Sequence, residues 1–323
     1  MYDVLCVGIL VADVIVKPVI KMPERGVLSP VDSIELFAGG NAMTASINLR
    51  KMGVSSAISG MVGDDMFGEF LKSCFEKNNV PTEGIKTTDR AQTSASTLLI
   101  SEDGERSFWH CEGANGIFSI DDIDMKLVEN AKTIFVTGSF LMNTFDGEQT
   151  ALFLKKCKEL GKTTVLDVCW DSEGRWGETL NQSLPYIDIF MPSIDEAREI
   201  SRESEVFKMA EKFIDLGVKS AVIKCGSDGC YVKENKNKAG YMIPACKNVN
   251  VVDTTGAGDS FCSGFLAAFS KGMDFRSCAL MGNATGAHCV MGRGATSGIK
   301  SFEEIESFMR KQEEIESNVS YIE

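Results

Sequence analysis

Val251-Val252-Asp253-Thr254-Thr255-Gly256-Ala257-Gly258-Asp259-Ser260-Phe261 runs from two β-branched residues through a turn of small residues to an acid. The pattern predicts a short apolar strand, a tight turn, and a helix with Phe261, Phe265, Ala268 and Phe269 as its apolar positions. Glycines in such a turn let backbone approach a ligand closely, and the free N–H groups of a helix start favour an anion. Asp259 therefore stands beside an anion hole. That pairing suits phosphoryl transfer, in which N–H groups stabilise charge on the moving group and the aspartate takes the proton of an attacking hydroxyl. Taken alone, a tight bend followed by a first-turn acid would also account for these residues.

The longer string Asp-Thr-Thr-Gly-Ala-Gly-Asp, residues 253–259, resembles the C-terminal signature of the ribokinase family, also called the PfkB family of carbohydrate kinases. The resemblance implies that Asp259 is the catalytic base and that Gly256, Ala257 and Gly258 form the anion hole. It further implies an α/β fold: a ribokinase-like three-layer sandwich with a central, mostly parallel sheet and a small β-sheet lid. ATP and Mg²⁺ are the implied cofactors.

Composition sets outer limits. The 323 residues, 44% of them hydrophobic, are ample for a large core. With 33 Lys+Arg against 46 Asp+Glu, the net charge of -13 argues against nucleic acid or an anionic membrane as partner. The 11 cysteines include no CxxC pair, which fits reduced core thiols and points to the cytoplasm. His110 and His288 are the two histidines, too few for a histidine-rich metal site or an easily assembled serine triad. No signal-peptide pattern opens the sequence, and no apolar run reaches membrane-spanning length.

Val4 to Val11 is a continuous apolar run, expected to be a strand buried on both faces and ended by Asp13. An acid just beyond such a strand lies where open α/β sheets bind ligands; the resemblance makes Asp13 a ligand of sugar hydroxyls. Ribokinase itself has an Asn two residues earlier, where this chain has Val11. Residues 14–37 and about 93–112 are extended, with Pro18, Pro23 and Pro30 forbidding a long helix and Asp103-Gly104 signalling a hairpin. These segments are expected to form a lid inserted in a single domain spanning 1–323. In the family such a lid closes over the sugar and often makes a homodimer contact.

Gly39-Gly40-Asn41 precedes a helix expected to end at Gly53, and resembles the family's N-terminal signature, in which these residues contact the sugar. The signature's Lys is missing, which argues against a phosphorylated acceptor. Asn115 has a family counterpart near the sugar. Strand Thr133–Thr137, helix Asp146–Leu160, strand Thr163–Val168 and strand Ile187–Met191 give the βαβ rhythm of a parallel sheet. Ser193 and Glu196 form a capping box; by resemblance Glu196 also organises magnesium through water. Lys224, Gly226, Asp228 and Gly229 correspond to an ATP-binding turn, and Asn283 to a position near adenine. Some family members bind a monovalent cation such as K⁺ on carbonyls near the positions of Asp253, Thr255 and Gly294. Phe302–Glu323 is expected to be a solvated closing helix.

The expected function is thus transfer of the ATP γ-phosphate to a hydroxyl of an unphosphorylated sugar. A nucleoside kinase is one alternative, with Phe108, Trp109 and Phe118 as candidates to stack on a base. A non-catalytic sugar-binding protein is another, although it would not need the arrangement around Asp259. A serine hydrolase using Ser260 fails the GxSxG spacing, because Cys262 occupies the last glycine position.

Overall fold

Alternation along the buried strands divides the core in two. In β1 (Tyr2–Gly8) Val4 and Cys6 join one apolar cluster while Leu5 and Val7 join the other. The structure, a computed structural model, describes residues 1–102, 105–312 and 320–322, the last three by their backbone alone.

The remaining strands are β2 Val11–Lys17, β3 Ser33–Gly39, β4 Ser56–Gly63, β5 Ile85–Thr88, β6 Ala95–Ile100, β7 Arg106–Cys111, β8 Ala131–Ser139, β9 Thr163–Val168, β10 Ile189–Phe190, β11 Ser220–Lys224, β12 Cys230–Lys233, β13 Gly240–Ile243 and β14 Ser320–Ile322. They form a ten-stranded sheet in the order β14-β13-β12-β11-β10-β9-β8-β1-β4-β5 and a separate four-stranded sheet, β3-β2-β6-β7. The large sheet is parallel from β5 to β11 and antiparallel from β11 outward.

The helices are α1 Asn41–Lys51, α2 Met66–Lys77, α3 Gly113–Ile117, α4 Met125–Glu129, α5 Glu148–Glu159, α6 Trp176–Leu180, α7 Ile194–Ser201, α8 Val206–Asp215, α9 Ala257–Ser270, α10 Phe275–Val290, α11 Gly294–Ser297 and α12 Phe302–Lys311. Helices α1, α2, α9, α10 and α12 cover one face of the large sheet, and α3 to α8 the other. The result is the expected three-layer sandwich. Parallel strands buried on both faces need apolar residues at odd and even positions alike, hence the unbroken runs seen in the sequence. Truncating one such residue, Leu5→Ala, would cost about 2–5 kcal/mol.

Several boundaries differ from those expected. The apolar run from Val4 to Val11 is two strands, because the chain leaves the large sheet at Gly8, where a side chain would collide with the Thr137 carbonyl. Val11 already belongs to β2, so Asp13 sits within a lid strand rather than past the end of a core strand. Val251 and Val252 are not a strand; they are 60% and 51% exposed, and Val252 N–H donates to the Val290 carbonyl of α10 instead of a sheet neighbour. Helix α5 starts at Glu148 after Gly147, and β10 is two residues long. In the closing segment α12 spans Phe302–Lys311 with Phe302, Ile305 and Met309 buried rather than solvated, and Ser320–Ile322 is a strand that pairs antiparallel with β13. The Asp103-Gly104 turn lies outside the described residues, although β6 and β7 on either side of it pair antiparallel. Among the described residues no helix is long and apolar enough to cross a membrane.

Candidate active site

Gly256 is the N-cap of α9 in the left-handed region, φ 75°, with Ala295 packed where a side chain would project. Helix α9 therefore begins at Ala257, and Asp259 falls in its first turn. Asp259 is half-buried, and its neighbour Gly258 lines the cleft described below. Burial, reinforced by Asp167 and Glu196 and opposed by Lys224 and the Asn41 hydrogen bond, pushes its pKa up to about 7. Asn41 Nδ2 donates to Asp259 Oδ1 at 2.7 Å. Asn41 is the first residue of α1, so two helix starts converge on one carboxylate.

Lys224 ends β11 and Asp167 lies near the end of β9, strands that run parallel on either side of β10. Their side chains pair at 2.6 Å, with Asp167 1% exposed. Burial alone would lower the Lys224 pKa, yet Asp167, Cys262 and Glu196 hold it above the ordinary lysine value. Glu196 is raised from its ordinary value, chiefly by burial, with Lys224 opposing and Asp167 adding to the effect. Its Oε2 accepts the Ser193 N–H at 2.7 Å, and Ser193 Oγ accepts the Glu196 N–H, so the expected capping box is present.

A cleft of about 530 Å³ opens beside this cluster, lined by Lys224, Gly226, Gly229, Gly258 and Asn283, with apolar walls that include Val249 and Val290. Gly226 and Gly229 both have positive φ, 58° and 96°, and bracket a 3₁₀ turn that carries the exposed Asp228. Asn283 donates from Nδ2 to the carbonyls of Ile243 and Pro244, at 3.3 and 3.0 Å, and so braces the loop after β13.

On the lid side, Asp13 lies against Gly39, where any side chain would strike its carboxylate. Burial raises the Asp13 pKa to about 6, and a bond from Ser96 opposes that rise. Phe37, Asp13, Ser96 and His110 form one cross-strand row through all four lid strands. Gly40 caps α1 and leads directly to Asn41, connecting this side with Asp259. Asn115 is 1% exposed and spends its amide on the backbone of Leu10, accepting from its N–H and donating to its carbonyl. It braces the link between β1 and β2.

Asp253 Oδ1 accepts the Thr255 N–H and Oδ2 accepts the Gly294 N–H, so these three residues do come together around the turn before α9. Ser260 is completely buried and bonded to Asn48 and the Ala295 carbonyl, which removes it as a nucleophile. Phe118 is 1% exposed and packs on Phe145, so it cannot stack on a base.

The sequence reading missed Asp167 and Cys169. Asp167 is an acid inside the otherwise apolar strand β9, near the strand end where parallel sheets place ligands, and that was the available signal. Cys169 Sγ–H donates to Asn41 Oδ1 at 3.2 Å; nothing in the sequence around it marks that contact.

Comparison with known proteins agrees with this architecture. The family model of pfkB family carbohydrate kinases matches residues 1–301. An ATP-dependent 6-phosphofructokinase of Thermoanaerobacterium thermosaccharolyticum is 25% identical over 311 residues, covering 95% of this chain and 93% of that protein. A ribokinase of Staphylococcus aureus is 27% identical over 277 residues, covering 83% and 87%. The solved structure of Arabidopsis thaliana ribokinase, complexed with ribose and ATP, superposes with a TM-score of 0.83 at 22% identity, covering 96% of this chain and 99% of that one. With the family model spanning nearly its whole length and both sheets in place, the chain belongs to the pfkB family of carbohydrate kinases.

Proposed function

We propose that this kinase transfers the γ-phosphate of ATP to a hydroxyl of an unphosphorylated sugar, with Asp259 as the base. The observation that carries this reading is the Asp259 carboxyl at the start of α9, bonded to Asn41 and raised by burial to a pKa of about 7. A carboxylate of that basicity is ionised in a substantial fraction near neutral pH and accepts a proton better than an ordinary aspartate. As the acceptor oxygen bonds to the γ-phosphorus, Asp259 takes that hydroxyl's proton. The bond from the γ-phosphorus to its bridging oxygen breaks, and its electron pair leaves with ADP. The N–H groups of Gly256 and Gly258, together with Lys224, meet the negative charge of the moving group, and that of Ala257, which donates to the Thr254 carbonyl at 3.3 Å, lies between them.

The cleft beside Lys224 suits ATP: Lys224, Gly226 and Gly229 lie at one part of it, Asp228 rides on the turn between those glycines, and Asn283 shapes the wall beside Val249 and Val290. Among the described residues no three His, Cys, Asp or Glu side chains group as a metal cage. Mg²⁺ would therefore be held mainly by phosphate oxygens and water, with Glu196 acting through water, and would offset phosphate charge. Both Asp253 oxygens accept N–H groups, so K⁺ at this turn would take carbonyl oxygens near Asp253, Thr255 and Gly294.

On the acceptor side, Asp13, Gly39, Gly40 and Asn41 would bind sugar hydroxyls, with Asn115 supporting them through Leu10. The lid would close over the sugar and exclude water that competes for the phosphoryl group. Its opposite face carries the exposed Ile34, Leu36 and Trp109, which supports a homodimer contact between lids. One α/β domain with this lid is the organisation we adopt. The 11 cysteines are all free, in keeping with a reducing compartment such as the cytoplasm.

One observation favours a nucleoside as second acceptor class: Phe108 is 59% exposed and pairs with Leu98, which in turn pairs with Ile15, so it shares the lid face of Asp13. The test is ADP release from MgATP across free pentoses, hexoses, sugar acids, phosphosugars and nucleosides. Release with a free sugar, lost in Asp259→Asn, is expected. Release with phosphosugars alone, or with no acceptor at all, would overturn the proposal, and preference for nucleosides would install the second reading.

A further inference from the structure

Three elements meet at the Asn41 side chain. Its Nδ2 donates to Asp259 Oδ1 of α9 at 2.7 Å, and its Oδ1 accepts from Cys169 Sγ, just beyond β9, at 3.2 Å. We infer that Cys169 is a positioning residue for the base: its thiol fixes the Asn41 amide with the nitrogen, not the oxygen, toward Asp259. The inference rests on the assignment of Asp259 as base.

The argument is one of donors and acceptors. An asparagine amide has one acceptor end and one donor end, and an ionised carboxylate only accepts. With Nδ2 toward Asp259, both contacts are satisfied. Turned by half a rotation, the amide would set its oxygen against the carboxylate and its nitrogen against a sulfur that accepts poorly. The thiol imposes the first orientation only while it carries its proton. Burial, together with Glu196, Asp259 and Asp167, raises the Cys169 pKa well above its ordinary value, with Lys224 opposing, so the thiol stays a donor throughout the working range.

The consequence falls on the charge of Asp259. The groups that face it are Asp167 from β9, Cys169 just beyond that strand, Lys224 from β11, Glu196 from α7, Cys289 from α10, Cys262 from its own helix and Asn41 from α1. Burial and the two acids favour the protonated carboxyl; Lys224 and the Asn41 N–H favour the carboxylate. Asn41 is the neutral group that hydrogen-bonds the Asp259 carboxyl, unlike the neutral thiols around it, so its effect depends wholly on which end of the amide is presented. Cys169 controls that choice without touching the reacting atoms, and a serine there would offer the same donor.

The test reads Asp259 directly, in the full chain and without an acceptor. The protonated-carboxyl infrared band that Asp259→Asn abolishes is titrated in the wild type and in Cys169→Ala, Cys169→Val and Cys169→Ser. Losing the donor should raise the midpoint by roughly half a pH unit or more in Cys169→Ala and in the closer-sized Cys169→Val, and Cys169→Ser should restore it. An unchanged midpoint in whichever donor-less variant keeps its circular dichroism spectrum overturns the inference. So does a serine variant that behaves as alanine, or the absence of any Asp259 band titrating near neutrality. Turnover of Asp259→Asn is measured separately by ADP release. Retained turnover there refutes the base assignment, whereas lost turnover with an unmoved midpoint refutes only the role of Cys169.

Discussion

Lys224 Nζ lies 2.6 Å from Asp167 Oδ1 and bridges the ends of β11 and β9 across β10. The carboxylate is 1% exposed and the lysine side chain 12%, so both charges are withdrawn from water. Deleting one partner leaves the other charge unpaired in a dry site, a loss of about 3–5 kcal/mol. Asp167→Ala should lose about that much in urea unfolding. The double replacement Asp167→Leu with Lys224→Met should lose less than the sum of its single changes, because no stranded charge remains. Strict additivity would show that the pair is not coupled.

Asp259 must be ionised to accept a proton, and its pKa of about 7 sets the direction of the pH profile. Below that value most molecules hold a protonated base, so kcat/KM should rise with pH through about 7 and then level. Asp259→Asn should lower turnover about 10²-fold or more in an ADP-release assay while still binding nucleotide. A mutant with near-normal turnover, or a wild-type profile flat from pH 5 to 8, would remove Asp259 from the role.

Asp13 gives a separate handle, because its proposed role is in acceptor binding. As a carboxylate it accepts sugar hydroxyls strongly; once protonated, below its pKa of about 6, that acceptor strength falls and KM for the acceptor should rise. Ser96 bonds to Asp13 and favours its ionised form. Ser96→Ala should therefore move the KM transition to higher pH with little change in kcat at pH 8. A transition that stays in place in Ser96→Ala would dissociate Asp13 from acceptor affinity.

The turn and helix start before Asp259 were legible in the chain because their signals are local: small residues, a helix start and an acid within eleven positions. The same holds for the Ser193–Glu196 capping box and for the two-faced strands, where the pattern itself records burial. The lid strands were legible as extended, but the join was not. Ile9 and Leu10 are as buried as strand residues, so hydropathy could not reveal that Gly8 ends β1 and that Asp13 has crossed into the lid. Asp167 and Cys169 went unseen for a different reason. Their partners, Lys224 and Asn41, are 57 and 128 residues away, and only the sheet order brings them together. Asn115 and Asn283 were singled out for ligands, but their amides are committed to backbone at Leu10 and at Ile243 and Pro244; a sequence cannot separate a binding amide from a bracing one.

Asp146 provides a stability test away from the proposed chemistry. One carboxylate oxygen, Oδ2, accepts the N–H groups of Phe140 and Met142 at 2.9 and 3.0 Å, while buried Oδ1 has no hydrogen-bond partner. Burial raises its pKa from 3.8 to about 7, against the two N–H groups and nearby Arg175. The folded protein therefore holds this proton up to about pH 7, whereas the unfolded chain releases it near 3.8. Folding stability from this group is fully present below about 3.8 and is lost as pH rises through that window, by up to about 1.4 kcal/mol per pH unit. Asp146→Asn keeps an oxygen for the two N–H groups and puts an uncharged NH₂ at the unpartnered corner. Its Tm relative to the wild type should thus climb between pH 4 and 7 and hold constant above that. A Tm difference that is the same at pH 4 and pH 8 would show that Asp146 is not held protonated in the folded state.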